Sequence, residues 1–411
     1  MRNLFFYICL YVIMLTMVIL KACKWGTQMF DKRLIKNFDF PILILIFLLV
    51  GFGLIGIGVA MKEPVEGDEQ QLFDIIGNFN LYHVKLHLLW FGIGLIAMLV
   101  VISIDYHLFA EMSPYIYWTV VAMLLYVSFR GHIAGNARSW ISFGSFYVQP
   151  SEFAKIAIII SLAKVIAKKK DEGEGLNRLR DFFPLLARLV IPLALIIDQP
   201  DFGTAMVFIA ILFGMVFVAG INYKLLLGII GAGVAAVPLM WYGLLSDVQK
   251  NRILVFLNPG MDPLGAGYHV IQSIIAIGSG RIYGKGILTD NTLSQLNFVP
   301  AKNTDFIFSV TVEALGFIGG ATIIFLYLCL VLRTIYLATR AKDSFGSFLV
   351  IGVVSMMVFH IFENIGMTMG LMPVTGIPLP FMSYGGSSML TNMIAYGLVL
   401  NVGMRRQKIN F

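Results

Sequence analysis

Several ionisable residues of this 411-residue chain stand inside or at the mouths of long apolar runs, where a charge is expensive and defaults to a functional role. Glu152 and Lys155 are three apart in PSEFAKIAIII, which puts them on one helix face. Such a pair can serve a charged substrate or hold two helices together. It is not the Ser-x-x-Lys of acyl-serine enzymes, because Ser151 lies one residue too far from Lys155. Asp198 and Asp201 flank Gln199-Pro200; the proline breaks a helix there and leaves backbone groups for polar side chains, so a structural role is expected. Asp305 stands where a long polar segment enters an apolar run, a position that suits a helix cap as well as a reactive carboxylate. His360 and Glu363, three apart, could pair inside the bundle. His83 and His87 have metal-ligand spacing but no carboxylate or cysteine in register, so interfacial packing is expected. The glycine-rich, basic stretch GSGRIYGKG at 278–286 could offer backbone N–H groups to phosphate or could be a flexible turn. It lacks a preceding strand and matches no nucleotide-binding fingerprint.

The elements that must position these residues are read from hydropathy. Hydrophobic residues make up 58% of the chain and charged ones 13%, against about 25% charged in soluble domains. The mean hydropathy is +0.85. The apolar residues fall in uninterrupted runs long enough to cross a bilayer and without the period-two alternation of a barrel. These runs predict an all-α, polytopic integral membrane helix bundle of about ten transmembrane helices, at 38–60, 83–103, 114–130, 151–167, 182–198, 203–221, 224–244, 306–332, 346–370 and 385–403. The net charge of +7 is no nucleic-acid signal, because the basic residues cluster between runs in the positive-inside pattern. Lys32, Arg33 and Lys36, then Lys168 to Lys170, then Arg333 and Arg340, then Arg405 and Arg406 fall on one side, predicted to be cytoplasmic. The other side receives an acidic loop with Glu63, Glu66, Asp68, Glu69 and Asp74, and the long segment 245–305 before the eighth span. That segment is expected to contain a re-entrant or surface-lying element and much of an active site. Residues 1–37 read as an N-terminal extension, either an extra membrane helix or a misassigned start, with 38–411 as the membrane domain. Cys9, Cys23 and Cys329 sit among apolar residues with no disulfide or metal spacing.

Six stretches carry a family resemblance: NARSWISFGSFYVQPSEFAKIA (136–157), QPDFGTA (199–205), DPLGAGYHVIQSIIAIGSG (262–280), NTDFIFSV (303–310), ALGFIGG (314–320) and PLPFMSYGGSSML (378–390). In order and spacing the chain resembles the SEDS family of shape, elongation, division and sporulation proteins across 38–406, and DPLGAGYHVIQS is closer to the elongation members than to the division members. The resemblance implies a peptidoglycan glycosyltransferase of the bacterial cytoplasmic membrane, with its active site facing outward. It implies lipid II, an undecaprenyl-diphosphate-linked disaccharide peptide, as substrate and a class B penicillin-binding protein transpeptidase as partner, besides membrane lipid. It carries the family's essential aspartate onto Asp305 and substrate contacts onto Arg138, Glu152 and Lys155. Ala301-Lys302-Asn303 stand where the family commonly has Glu-Arg or Glu-Ala and then His, and Glu363 stands where an apolar residue is more usual.

The chemistry so implied is one inverting displacement, because an α-linked donor becomes a β-1,4 bond. It needs a base for the attacking 4-hydroxyl and cations for the departing diphosphate. Asp305 suits the first role, or alternatively the holding of a divalent cation. Arg138, Lys155, Arg281, Lys285 and Lys302 are the cations on the outer side. The competing readings are a flippase or transporter of the lipid-linked precursor, a non-catalytic scaffold, and a division-type paralogue.

Overall fold

Four aspartates start helices. Asp39, Asp105, Asp201 and Asp343 each accept a backbone N–H from the first turn that follows, at 3.4, 2.9, 3.1 and 2.8 Å. Each bond satisfies a donor that the helix leaves without a partner. The computed structural model describes residues 36–62, 81–134, 137–143, 146–173, 175–176, 178–243, 247–262, 265–289 and 292–406. The N-terminal extension to residue 35 and the acidic cluster Glu63 to Asp74 lie outside the described residues.

The membrane-length helices stand where the hydropathy runs predict them: α1 (Phe40–Ala60), α2 (Leu81–Ser103), α3 (Tyr106–Arg130), α4 (Pro150–Asp171), α5 (Leu179–Asp198), α6 (Phe202–Ala219), α7 (Tyr223–Gly243), α10 (Ile307–Thr339), α11 (Ser344–Thr368) and α12 (Gly386–Met404). Among the described residues, seven helices are long and apolar enough to cross a membrane: α1, α2, α3, α6, α7, α10 and α11. Between α3 and α4 lie β1 (His132–Ala134), β2 (Ala137–Phe143) and β3 (Phe146–Val148), paired antiparallel in that order. The long segment before α10 holds α8 (Asp247–Leu257), a 3₁₀ turn at Pro259–Met261, and α9 (Ala266–Ser279), which packs on α10 and α11. α11 is central, packing against α4, α6, α10 and α12, while α2 lies along α12 and α1 along α10. α7 differs from all of these: no residue in its membrane-length window is buried.

α10 is not one straight rod. Gly316 has φ 71° and ψ −168°, a conformation for which only glycine is suited. A Cβ placed on Gly320 would stand 2.9 Å from Val312 and 3.6 Å from Phe308. In a continuous helix residues eight apart are separated by about 12 Å, so the chain folds back at Gly316. Gly56 of α1 faces Ile307 and Thr311, and Ala60 clusters with Val310 and Ala314, so residues 307–315 run parallel to α1. Arg333 meets Asp39 at 2.8 Å, so the later half runs antiparallel to α1.

A helix broken this way exposes two sets of backbone groups. The glycine-rich stretch after α9 satisfies both. Lys285 N and Gly286 N donate to Glu313 O and Ala314 O, each at 3.0 Å. Phe317 N and Ile318 N donate to Arg281 O and Ile282 O, at 2.8 and 3.2 Å. The stretch is therefore neither a free phosphate nest nor a flexible turn; it clamps the break. The Glu313 carboxylate, buried beside it, accepts from Lys285 Nζ (2.7 Å), Leu293 N (2.9 Å), Ser294 N (3.1 Å), Ser294 Oγ and Ser279 Oγ.

Candidate functional site

The fold-back sets the depth of Asp305. It precedes the short half of α10, at the end that faces Gly56 and so lies about one turn in from the end of α1. The turn that carries it is tied on three sides by later chain. Tyr384 N donates to Asn303 O at 2.9 Å, Ser383 Oγ to Thr304 O at 2.6 Å, and Asn364 Nδ2 to Asp305 O at 2.8 Å. Asn364 Nδ2 also donates to Ile377 O at 2.8 Å, so α11 pins the turn and the 377–384 connection together.

The Asp305 side chain itself is left with little to do structurally. The N-cap of α10 is Phe306, which makes no side-chain cap bond. The capping role open to Asp305 in the sequence is therefore not the one it has. Its carboxylate is pushed up to about 6 by burial, against the opposing pull of a hydrogen bond from Thr304 and the charge of Arg252. Gly376, at φ 74°, lets the backbone pass beside it; a Cβ there would stand 3.5 Å from Asp305 Oδ2.

A second polar cluster lies between α4 and α11. Lys155 Nζ donates to Glu152 Oε1 at 2.7 Å and lies 3.1 Å from His360 Nε2, while His360 Nδ1 is 3.3 Å from Pro378 O. These contacts fix the tautomer: Nδ1 donates to the carbonyl and Nε2 accepts from the ammonium. Lys155 is 1% exposed and Glu152 3%, so the pair faces protein rather than an open cavity. Among the described residues Glu152 Oε2 has no hydrogen-bond partner. His360 does not pair with Glu363, which instead accepts from Thr375 Oγ1 at 2.9 Å.

Asp201 accepts from Gln149 Nε2, Ser151 Oγ, Thr204 N and Thr204 Oγ1, at 3.1, 3.3, 3.1 and 2.9 Å, the structural role read from its proline. Asp198 is exposed. Arg138 sits in β2 opposite Ile133, and its side chain lies outside the described residues. Of the other cations expected near the site, Lys285 is held by Glu313, Lys302 donates to Ser294 O at 2.9 Å, and Arg281 is exposed at the fold-back. His83 packs edge-on against Tyr384, with ring centroids 5.3 Å apart. Among the described residues no three His, Cys, Asp or Glu side chains are grouped to hold a metal ion.

The connection from α11 to α12 is the common backing of these clusters, since it bonds to His360, Asn364 and Thr304, and Ser387 in the first turn of α12 accepts from Gln149 N at 3.1 Å. Sequence reasoning missed Glu313, Asn364, Ser383 and Arg252. The first three are ordinary polar residues whose partners are distant in the chain; Arg252 lies in a short helix of mixed sequence that hydropathy does not outline.

Comparison with known proteins bears on the whole arrangement. The family model FTSW_RODA_SPOVE, described as "Cell cycle protein", matches residues 41–408. "Peptidoglycan glycosyltransferase MrdB" of Escherichia coli (strain K12) is 37% identical over 78% of this chain and 85% of its own. "Peptidoglycan glycosyltransferase RodA" of Treponema pallidum is 33% identical over 91% of this chain and 99% of its own. A chain of the solved structure described as "Structural coordination of polymerization and crosslinking by a peptidoglycan synthase complex" is 27% identical, with TM-score 0.72, covering 90% of this chain and 99% of that one. With the match running from α1 past α12, the chain belongs to the FtsW/RodA/SpoVE family.

Proposed function

We propose that this chain is an inverting peptidoglycan glycosyltransferase that polymerises lipid II into β-1,4-linked strands during cell-wall elongation. The observation that carries the reading is Asp305: a half-buried carboxylate, free of capping duty, held by its backbone and pushed up to about 6. A general base works best with a pKa near the operating pH. Asp305 takes the proton of the acceptor 4-hydroxyl as that oxygen bonds the donor's anomeric carbon. The bond from that carbon to the diphosphate oxygen breaks on the opposite face, and the diphosphate leaves with the electron pair.

In this reading Glu152 and Lys155 hold the wall of the site, through His360 and Pro378, and orient the substrate at one remove. Arg138, on the β2 strand beside the mouth of the bundle, remains a diphosphate contact to be tested. The lipid tail stays in the bilayer between helices, so no soluble sugar-binding domain is required. The distribution of lysine and arginine between spans supports the bacterial cytoplasmic membrane, with Asp305 toward the outer side. A class B penicillin-binding protein is the expected partner, supported by the synthase complex to which the fold is similar. The test is polymerisation of lipid II by the purified chain with its partner, read on a glycan gel for wild type and Asp305→Asn. Polymer from the wild type and none from a folded Asn variant is the expected result; equal polymer from both overturns the assignment of Asp305.

A further inference from the structure

A charge within a membrane span is expensive, and one such charge has no part in the outer site. Arg188 stands six residues inside the fifth apolar run, 182–198, so its Cα lies about 9 Å past the start of that run on the cytoplasmic side. Ahead of it, at the mouth of α5, Asp181 is held by Lys169 of α4 at 2.7 Å, and Arg178 and Arg180 are exposed.

The backbone of Arg188 is accounted for. Pro192 has no N–H, so the Arg188 carbonyl loses its helical donor. Tyr117 Oη donates to that carbonyl at 3.1 Å and ties α5 to α3. The guanidinium is not accounted for. It is half-buried, and its Nη1 donates to Pro184 O, one turn back toward the cytoplasmic end, at 2.9 Å. Among the described residues it has no other hydrogen bond and no carboxylate partner. One of five donors is thus used. Pro184 lies only two residues inside the run, so the head of the side chain is drawn back to about 3 Å below its start, where acyl chains give way to headgroups.

The protein surface at this depth has the character of a membrane interface. Tyr115 and Trp118 of α3 stand in the first turn and a half of the run 114–130, and both are exposed, as is Phe183 of α5. Aromatic side chains so placed sit at headgroup level. α3 and α5 pack together, and these rings mark the lipid-facing rim of the pair.

We propose that Arg188, at the seam of α3 and α5, binds the phosphate of an anionic phospholipid in the cytoplasmic leaflet. The guanidinium fork bonds two phosphate oxygens at once and so fills donors that protein leaves empty. A lipid, rather than a free anion, is the occupant because the guanidinium lies below the headgroup boundary beside exposed rings, which acyl chains cover. The headgroup is anionic because a zwitterionic one carries its own cation against the phosphate, whereas Arg178 and Arg180 add attraction at the mouth. The site is separate from Asp305 and does not depend on the glycosyltransferase reading; it uses only the orientation given by the lysines and arginines.

The experiment counts phosphatidylglycerol and phosphatidylcholine bound to the full chain by native mass spectrometry in mild detergent. Wild type is expected to prefer phosphatidylglycerol. Arg188→Gln is expected to bind it about fivefold more weakly, the usual worth of one basic residue at a lipid surface, with phosphatidylcholine binding unchanged. Arg188→Lys should keep most of the preference, and Arg180→Gln should lose distinctly less of it than Arg188→Gln. Wild-type preference in a folded Arg188→Gln protein overturns the proposal. An equal loss in Arg180→Gln also overturns it, because the attraction is then diffuse. Displacement of the lipid by millimolar inorganic phosphate overturns the choice of a lipid occupant. If Arg188→Gln does not fold, wild type decides: in nanodiscs, modification of Arg188 by phenylglyoxal, measured relative to Arg180, should be slower in phosphatidylglycerol than in phosphatidylcholine, and equal rates overturn the assignment.

Discussion

Asp305 and Glu313 are carboxylates at the two ends of one short half-helix, and they have opposite environments. Glu313 sits at the fold-back with five donors around it, among them Lys285. Asp305 sits at the other end with Thr304 for a partner and burial pushing its carboxyl up. A carboxylate saturated with donors is a fixed structural charge; one left under-satisfied in a half-buried site is suited to take up a proton, the role proposed for Asp305. On that proposal the same stretch of helix separates holding from reacting, and the glycine at 316 makes the separation by giving each end its own surroundings.

The largest expected effect comes from Asp305→Asn. Polymerisation should fall by about 10²–10⁴-fold, the usual contribution of a general base. Stability at pH 7 should not fall, because an acid whose folded pKa is raised disfavours folding once ionised. A melting curve beside the gel checks both halves, and a destabilised, still-active variant would break the contrast with Glu313. Lys155→Met comes next. It leaves Glu152 ionised and buried without a cation, a loss of roughly 3–5 kcal/mol in comparable buried pairs, read as a lower melting temperature in detergent together with lost activity. A variant as stable and active as wild type would show the pair to be dispensable.

Gly316→Ala should follow closely. Its Cβ would meet Gly284 N at 2.3 Å and Ile282 O at 2.4 Å, and the backbone conformation itself would be strained by about 1–3 kcal/mol. Thermal unfolding measures the loss; a wild-type melting temperature would mean the fold-back is not fixed by glycine. Glu313→Gln should cost about 1–3 kcal/mol by weakening the bonds to Lys285 and the 293–294 backbone, with turnover per folded molecule reduced far less than by Asp305→Asn. Equal loss of turnover in the two would erase the distinction drawn between them.

The smallest effect is in pH. Polymerisation should drop by half near pH 6 and continue to fall below it, as the base takes up its proton. The stability contributed by this group runs the other way: it is present below the ordinary carboxylate range and is lost as pH rises through about 6. Arg252 and Thr304 both oppose the upward push, so Arg252→Gln should move the limb of the activity profile to higher pH.

Most of the helices were legible because lipid forces long apolar runs, and ten runs led to ten helices. The fold-back was not legible. Residues 306–332 read as one uninterrupted span, and Gly316 is one of 40 glycines, each of which looks alike until a neighbour's backbone is brought against it. For the same reason the basic glycine stretch at 278–286 read as a phosphate site or a flexible turn; its available N–H groups are those that Glu313 O and Ala314 O require. Asp305 was legible as a charge at a span's mouth, whereas its freedom from capping depended on where Phe306 and Gly376 fall in space. Arg252 was not legible as a site residue because α8 is short and its sequence mixed, so hydropathy gives it no outline.

The ties on the Asp305 turn also set a calendar for biosynthesis. Its partners at Asn364, Ser383 and Tyr384 are roughly 60 to 80 residues later in the chain. At about 5–20 residues per second, a ribosome needs several seconds to deliver them after Asp305 has appeared. By then α1 to α11 have already been made. The turn that carries Asp305 is thus finished only after α11 has appeared, and a chain interrupted before Tyr384 lacks the bonds that hold that turn.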